Sequence, residues 1–208
     1  MTRIGFVLAM LLLGSPTWGA SADQDLHSLL ENIHSMRGKF EQRLSDGDKK
    51  LIQQSQGSFE LKRPGFLSWH VAPPYEQVIV SNGSVTWVYD PDLEQATRYL
   101  ADQNQGPMQI INGTVKTLSD NYQVSEKSKG KKKFFSLLPT HPQTGDGSFS
   151  ELEFVFSGEH LQSIRMIDKL DQTTQIDFKS VKVNEKIADE DFVFKVPDGV
   201  DIIDNAKQ

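Results

Sequence analysis

The chain has 208 residues, 37% of them hydrophobic, which suits one domain with a sizeable core. It contains no cysteine, which excludes a disulfide framework and a thiol nucleophile and leaves no cysteine to carry a lipid. With 22 Lys and Arg against 28 Asp and Glu the net charge is −6, an acidity that argues against nucleic acid as a partner.

Met1-Thr2-Arg3, the apolar run Ile4 to Leu13, the breaker Gly14-Ser15-Pro16 and Ala20-Ser21-Ala22 have the layout of a signal peptide. The expected leader is 1–22, cleaved after Ala22, followed by a single domain over 23–208. Its removal takes out one cation, Arg3, and moves the net charge to −7. The apolar run is too short to span a bilayer, so the expected product is exported and soluble.

Leu26, Leu29, Leu30 and Ile33 fall at helical spacing behind Asp23 and Asp25, which predicts an amphipathic helix. Strand patterns follow over Met36–Leu44, Gln56–Lys62, Phe66–Val71, Gln77–Ser81 and Val85–Tyr89, with turn signals at Pro64-Gly65, Pro73-Pro74 and Asn82-Gly83. Asp102 to Asp120 reads as short helices. Strands resume at Tyr122–Ser125, Lys132–Leu138, Ser150–Phe156, Leu161–Asp168, Thr173–Val183 and Phe192–Val196. The sum is a mainly β (α+β) fold: about eleven strands in a curved or barrel-like antiparallel sheet, with helices on one face.

Catalytic signals are poor. His27, His34, His70, His141 and His160 are scattered without an HExxH pair, and there is no G-x-S-x-G elbow or phosphate loop, so neither an enzyme nor a cofactor or metal site is expected. The basic run Lys127–Lys133 reads as a solvated hairpin tip, with a docking patch for an acidic partner or anionic headgroups as the alternative. One sheet face is expected to present Phe40, Phe59, Leu61, Leu67, Trp69, Val78, Val80, Trp87 and Tyr89, opposed by Met108, Ile110 and Ile111. That set is either an ordinary core or a pocket for apolar ligands. Arg63 interrupts this face, where a guanidinium must find acceptors.

Four blocks in order, Phe40-Glu41-Gln42, Gly57 to His70, Val80 to Pro91 and Glu94 to Thr97, with a fifth at Asp191 to Val200, resemble the LolA family of outer-membrane lipoprotein carriers. The resemblance implies an unclosed curved β-barrel whose concave apolar face is covered by a helical lid. It implies a periplasmic chaperone that takes acylated lipoproteins from a LolCDE-type inner-membrane ABC transporter to a LolB-type outer-membrane receptor. It also implies that Arg63 is the lid latch, that the apolar residues above, with Phe66, form the acyl-chain groove, and that Met108, Ile110 and Ile111 belong to the lid. Whether Phe66 or Leu67 faces the groove stays open. A monomer is the simplest expectation, and the alternative reading is a periplasmic lipid- or glycolipid-binding, or lipoprotein-sensing, module on the same fold.

Overall fold

The computed structural model describes residues 21–100, 116–141 and 149–206. Helix α1 (Ala22–Glu31) begins at the predicted cleavage site, carries Asp23 and Asp25 in its first turn, and buries Leu26 and Leu30. Among the described residues twelve strands then form one sheet. They are β1 (Ser35–Ser45), β2 (Leu51–Lys62), β3 (Phe66–Val71), β4 (Gln77–Asn82), β5 (Val85–Asp90), β6 (Gln95–Leu100), β7 (Tyr122–Lys129), β8 (Lys132–Pro139), β9 (Phe149–Ser157), β10 (His160–Asp168), β11 (Thr173–Val183) and β12 (Asp201–Asp204). A short helix α2 (Lys116–Asn121) precedes β7, and a 3-10 turn spans Asp189–Phe192.

The strand order is β12-β6-β5-β4-β3-β2-β1-β11-β10-β9-β8-β7, so among the described residues β12 and β7 are the edges and the sheet does not close. Every pairing is antiparallel except β12 on β6, which is parallel. The turns predicted at Pro64-Gly65 and Asn82-Gly83 are present, with φ of +77° at Gly65 and +84° at Gly83. At the second, Asn82 Oδ1 accepts from the N–H groups of Ser84 and Val85. The lysine-rich segment is the β7–β8 hairpin tip, and exposed Lys127 and Lys129 on the edge strand β7 discourage pairing with another chain.

The C-terminal part departs from the expectation. Phe192–Val196 is not a strand: Phe192 closes the 3-10 turn and the chain continues irregularly to β12. β6 and β12 are the unpredicted strands. β6 has Ala96 and Thr97 buried in succession on opposite faces, which erases a two-residue apolar period. β12 has only four residues and is held by its parallel ladder to Gln95–Arg98.

The core lies between α1, α2 and one face of the sheet, termed here the inner face. Leu26, Leu30 and Ile33 of the α1 region and Leu118 of α2 pack with Met36, Phe40, Phe59, Leu61, Trp69, Phe135, Phe154, Ile164 and Phe178. Each fully buried large apolar side chain contributes about 1.5–3 kcal/mol, so this layer dominates stability.

One glycine is required by that packing. Gly57 of β2 lies between Phe40 of β1 and Val71 of β3, and the Phe40 ring crosses it to stack on Trp69, with centroids 3.8 Å apart and planes at 20°. A Cβ at Gly57 would run into the His70 carbonyl and come within 2.7 Å of Phe40 Cζ. Gly57→Val is therefore expected to lower stability by about 3 kcal/mol, read as a lower urea midpoint. An unchanged midpoint would show that the strand absorbs the side chain.

Candidate functional site

Residues directly opposite one another in adjacent strands share a face, so the ladder fixes which predicted site residues come together. Gly38, Phe59, Trp69, Ile79 and Val88 form one row across β1 to β5, and Met36, Leu61, Leu67 and Ser81 form another. Phe40, Phe59, Leu61, Leu67 and Trp69 thus lie together on the inner face. Phe59 links two clusters, with its ring 5.8 Å from Trp69 and 5.1 Å from Phe178. Leu67, opposite Leu61, is the inward residue of the pair left open by the sequence.

Phe66, Val78, Val80, Trp87 and Tyr89 lie on the other face, a correction to the single-face expectation. Val80 pairs with Ser68 and Val78 with His70, one step out of phase with Trp69, and Trp87 and Tyr89 stand opposite Val80 and Val78. The inward position beside Trp69 is filled by Ile79. These outer side chains are apolar because the C-terminal segment covers them. Phe192 meets Phe66 at 5.4 Å, and Phe194 meets Trp87 and Tyr89 at 5.8 and 5.7 Å. Lys62 Nζ sits 5.0 and 5.5 Å from the Phe66 and Phe192 ring centroids and pairs with Asp189, which fastens this second layer.

Helix α1 bridges the inner face. Near its start Asp25 pairs with Lys133 of β8, and Glu126 lies 3.7 Å from the same ammonium. Beyond its end the His34 carbonyl accepts the backbone N–H of Arg63 at 2.9 Å. Arg63 therefore adjoins the C-terminal end of the helix, where the aligned peptide dipoles favour a cation. Burial pulls its guanidinium below the ordinary arginine value, and the charge of Glu31, the last residue of α1, acts in the opposite direction.

The junction of α1 and β1 depends on a residue the sequence did not single out. Asn184, at φ +59°, accepts from His34 N–H at 2.8 Å and donates to the Asn32 carbonyl at 2.8 Å. A lone Asn beyond a strand carries no sequence signal for that role. Met108, Ile110 and Ile111 lie outside the described residues.

Lys133 gives a measurable tether. Its hydrogen bond to Asp25 holds the ammonium above the ordinary value of 10.5, against an opposing desolvation cost. Because the folded-state pKa is raised, the ammonium's contribution is complete at neutral pH and is lost as pH rises through the folded value. The side chain is 38% exposed, so the pair is worth at most about 1 kcal/mol. Lys133→Met is expected to speed amide exchange in α1 at pH 7 while leaving β1–β5 unchanged; uniform exchange rates across both would contradict the tether.

The chemistry available is apolar containment. A cavity of about 650 Å³ on the outer face is bordered by the charged and polar side chains of Arg37, Glu60, His70 and Asp191. Arg37 there is paired with Glu185 at 2.6 Å. Among the described residues no group of His, Asp and Glu is placed to hold a metal ion, and no helix is long and apolar enough to cross a membrane.

Comparison with known proteins agrees with this architecture. Residues 31–195 match the family model described as outer membrane lipoprotein carrier protein LolA. The chain is 37% identical over 186 residues to the outer-membrane lipoprotein carrier protein of Pseudomonas paraeruginosa, covering 88% of each chain. It is 34% identical over 202 residues to that of Chromohalobacter salexigens, covering 96% of this chain and 94% of the other. An uncharacterized conserved protein from Thermus thermophilus has a similar fold, with a TM-score of 0.52 at 8% identity over 88% of this chain and 100% of that one. The inner apolar face under a bridging helix, with an arginine at its end, is thus borne by a chain that belongs to the LolA family of outer-membrane lipoprotein carrier proteins.

Proposed function

We propose that this chain is a periplasmic chaperone that carries acylated lipoproteins from a LolCDE-type transporter in the inner membrane to a LolB-type receptor at the outer membrane. The observation that carries this reading is the inner face: aromatic and aliphatic side chains from β1, β2 and β3 buried under α1. Each CH₂ kept from water is worth about 0.8 kcal/mol, so several acyl chains need such a surface to cross an aqueous compartment. Because that surface is buried together with α1, cargo competes with α1 for it, and the carrier regains those contacts on release. The family is one of carriers rather than enzymes. The groove consists of Phe40, Phe59, Leu61, Leu67 and Trp69, with Arg63 as the latch at the helix end.

The leader is cleaved after Ala22 on this reading, and the carrier works as a monomer, presenting one groove to two partners in turn. An intact mass for a chain beginning at Asp23 would verify the first point.

Mass spectrometry of the protein isolated gently from periplasm tests the cargo. Co-purifying triacylated lipoprotein is the expected result. Free phospholipid or glycolipid in its place would overturn the carrier reading in favour of a lipid-binding module on the same fold.

A further inference from the structure

Towards the end of the sheet farthest from Arg63 the inner face changes character. Val71 and Phe40, both packed in the core layer, are followed on the same face by Gln42 of β1, Ser55 and Gln53 of β2, and Gln77 of β4. These four polar residues line a cavity of about 410 Å³. Ser55 is only 8% exposed. No protein group among the described residues hydrogen-bonds its hydroxyl or the amides of Gln42, Gln53 and Gln77. The hydroxyl of this largely buried serine opens into the cleft beside three half-buried amides, a set of donors that a ligand's acceptors can engage in place of water.

The remaining wall has one sign of charge. Glu76, Asp90 and Asp92 line the same cavity, and among the described residues no Lys or Arg does. A phosphate there would face three carboxylates without a counter-charge, whereas neutral carbonyls would meet amide and hydroxyl donors.

We infer that this cleft holds the polar head of the cargo: the ester and amide carbonyls of the acylated N-terminal residue and the first peptide units after it, with the acyl chains running from Val71 towards Trp69 and Leu61. This rests on the carrier reading and adds a head-group specificity to it. The face is ordered as an acylated peptide is ordered, with hydrocarbon contacts first and carbonyl acceptors next. The acidic wall selects such a neutral head, or one followed by basic residues, over an anionic phospholipid.

The test uses the mature chain and displacement of an apolar fluorophore by three competitors: a diacylglyceryl-cysteinyl tetrapeptide with neutral side chains, hexadecanol, and dilauroylphosphatidylglycerol. The triple variant Gln42→Leu, Ser55→Ala, Gln77→Leu is expected to bind the lipopeptide roughly ten-fold or more weakly, since each lost hydrogen bond is worth about two- to ten-fold. Hexadecanol, which lacks carbonyls, should bind within about two-fold of wild type and so reports an intact apolar face. The double variant Glu76→Lys, Asp92→Lys should gain affinity for the phospholipid. Unchanged lipopeptide affinity in the triple variant, or a wild-type preference for phosphatidylglycerol over lipopeptide, would overturn the head-group assignment while leaving the apolar face in place. Failure of hexadecanol and lipopeptide alike to displace the fluorophore from wild type would instead remove the carrier reading, and this inference with it.

Discussion

An Arg63→Leu protein is expected to load with acylated cargo and to pass it on slowly. Arg63 stands against the C-terminal end of α1, with His34 bonded to its backbone and Glu31 acting on its charge. Leucine keeps the volume and the backbone hydrogen bond but removes the guanidinium. On the latch reading, a partly buried cation at the C-terminal end of a helix is worth up to about 2 kcal/mol, so its loss shifts the balance of closed and open forms by up to about thirty-fold towards open. Cargo that no longer has to displace a latched helix is held more tightly, and transfer to the receptor falls by a similar factor. Transfer of a radiolabelled lipoprotein from loaded carrier to receptor-bearing vesicles measures this directly. A variant that loads and transfers at the wild-type rate would remove the latch.

The second large effect separates the two apolar faces. Phe192 is 1% exposed and packs on Phe66 beneath Lys62. Phe192→Ala should cost about 3–5 kcal/mol of stability through the cavity it leaves, yet alter cargo affinity little where the protein remains folded. Trp69→Ala should cost a similar amount and also weaken cargo, because Trp69 lies in the stack with Phe40 and Phe59. Denaturant midpoints and lipopeptide affinities for the two variants give the comparison. Equal losses of affinity would mean that the outer layer also contacts cargo.

The same division marks what the sequence could and could not reveal. The α1 periodicity, the Asn82-Gly83 hairpin and ten of the strands were legible because each is a local pattern read within a few residues. The face of Val78, Val80, Trp87 and Tyr89 was not. From β3 to β5 both faces are apolar, since Phe192 and Phe194 return from over a hundred residues away to cover the outer one. With both sides buried, the two-residue period gives no phase, and only the pairing of Ile79 with Trp69 supplies it. The Pro64-Gly65 turn was legible as a turn, while its consequence, Leu67 inward and Phe66 outward, depends on the ladder that places Leu67 opposite Leu61. Asn184 was invisible for a related reason: its partners are Asn32 and His34, about 150 positions earlier in the chain.

The central claim, that cargo chains enter between α1 and the inner face, can be tested with the chain's own tryptophans. Besides Trp18 in the expected leader there are only Trp69 and Trp87, one on each face of the sheet. The mature Trp87→Phe protein then emits from Trp69 alone, and Trp69→Phe from Trp87 alone. Titration with the diacylglyceryl lipopeptide should change the intensity and wavelength of Trp69 emission saturably and leave Trp87 emission unmoved. A saturable response from Trp87 with none from Trp69 would place the acyl chains on the opposite face and contradict the account.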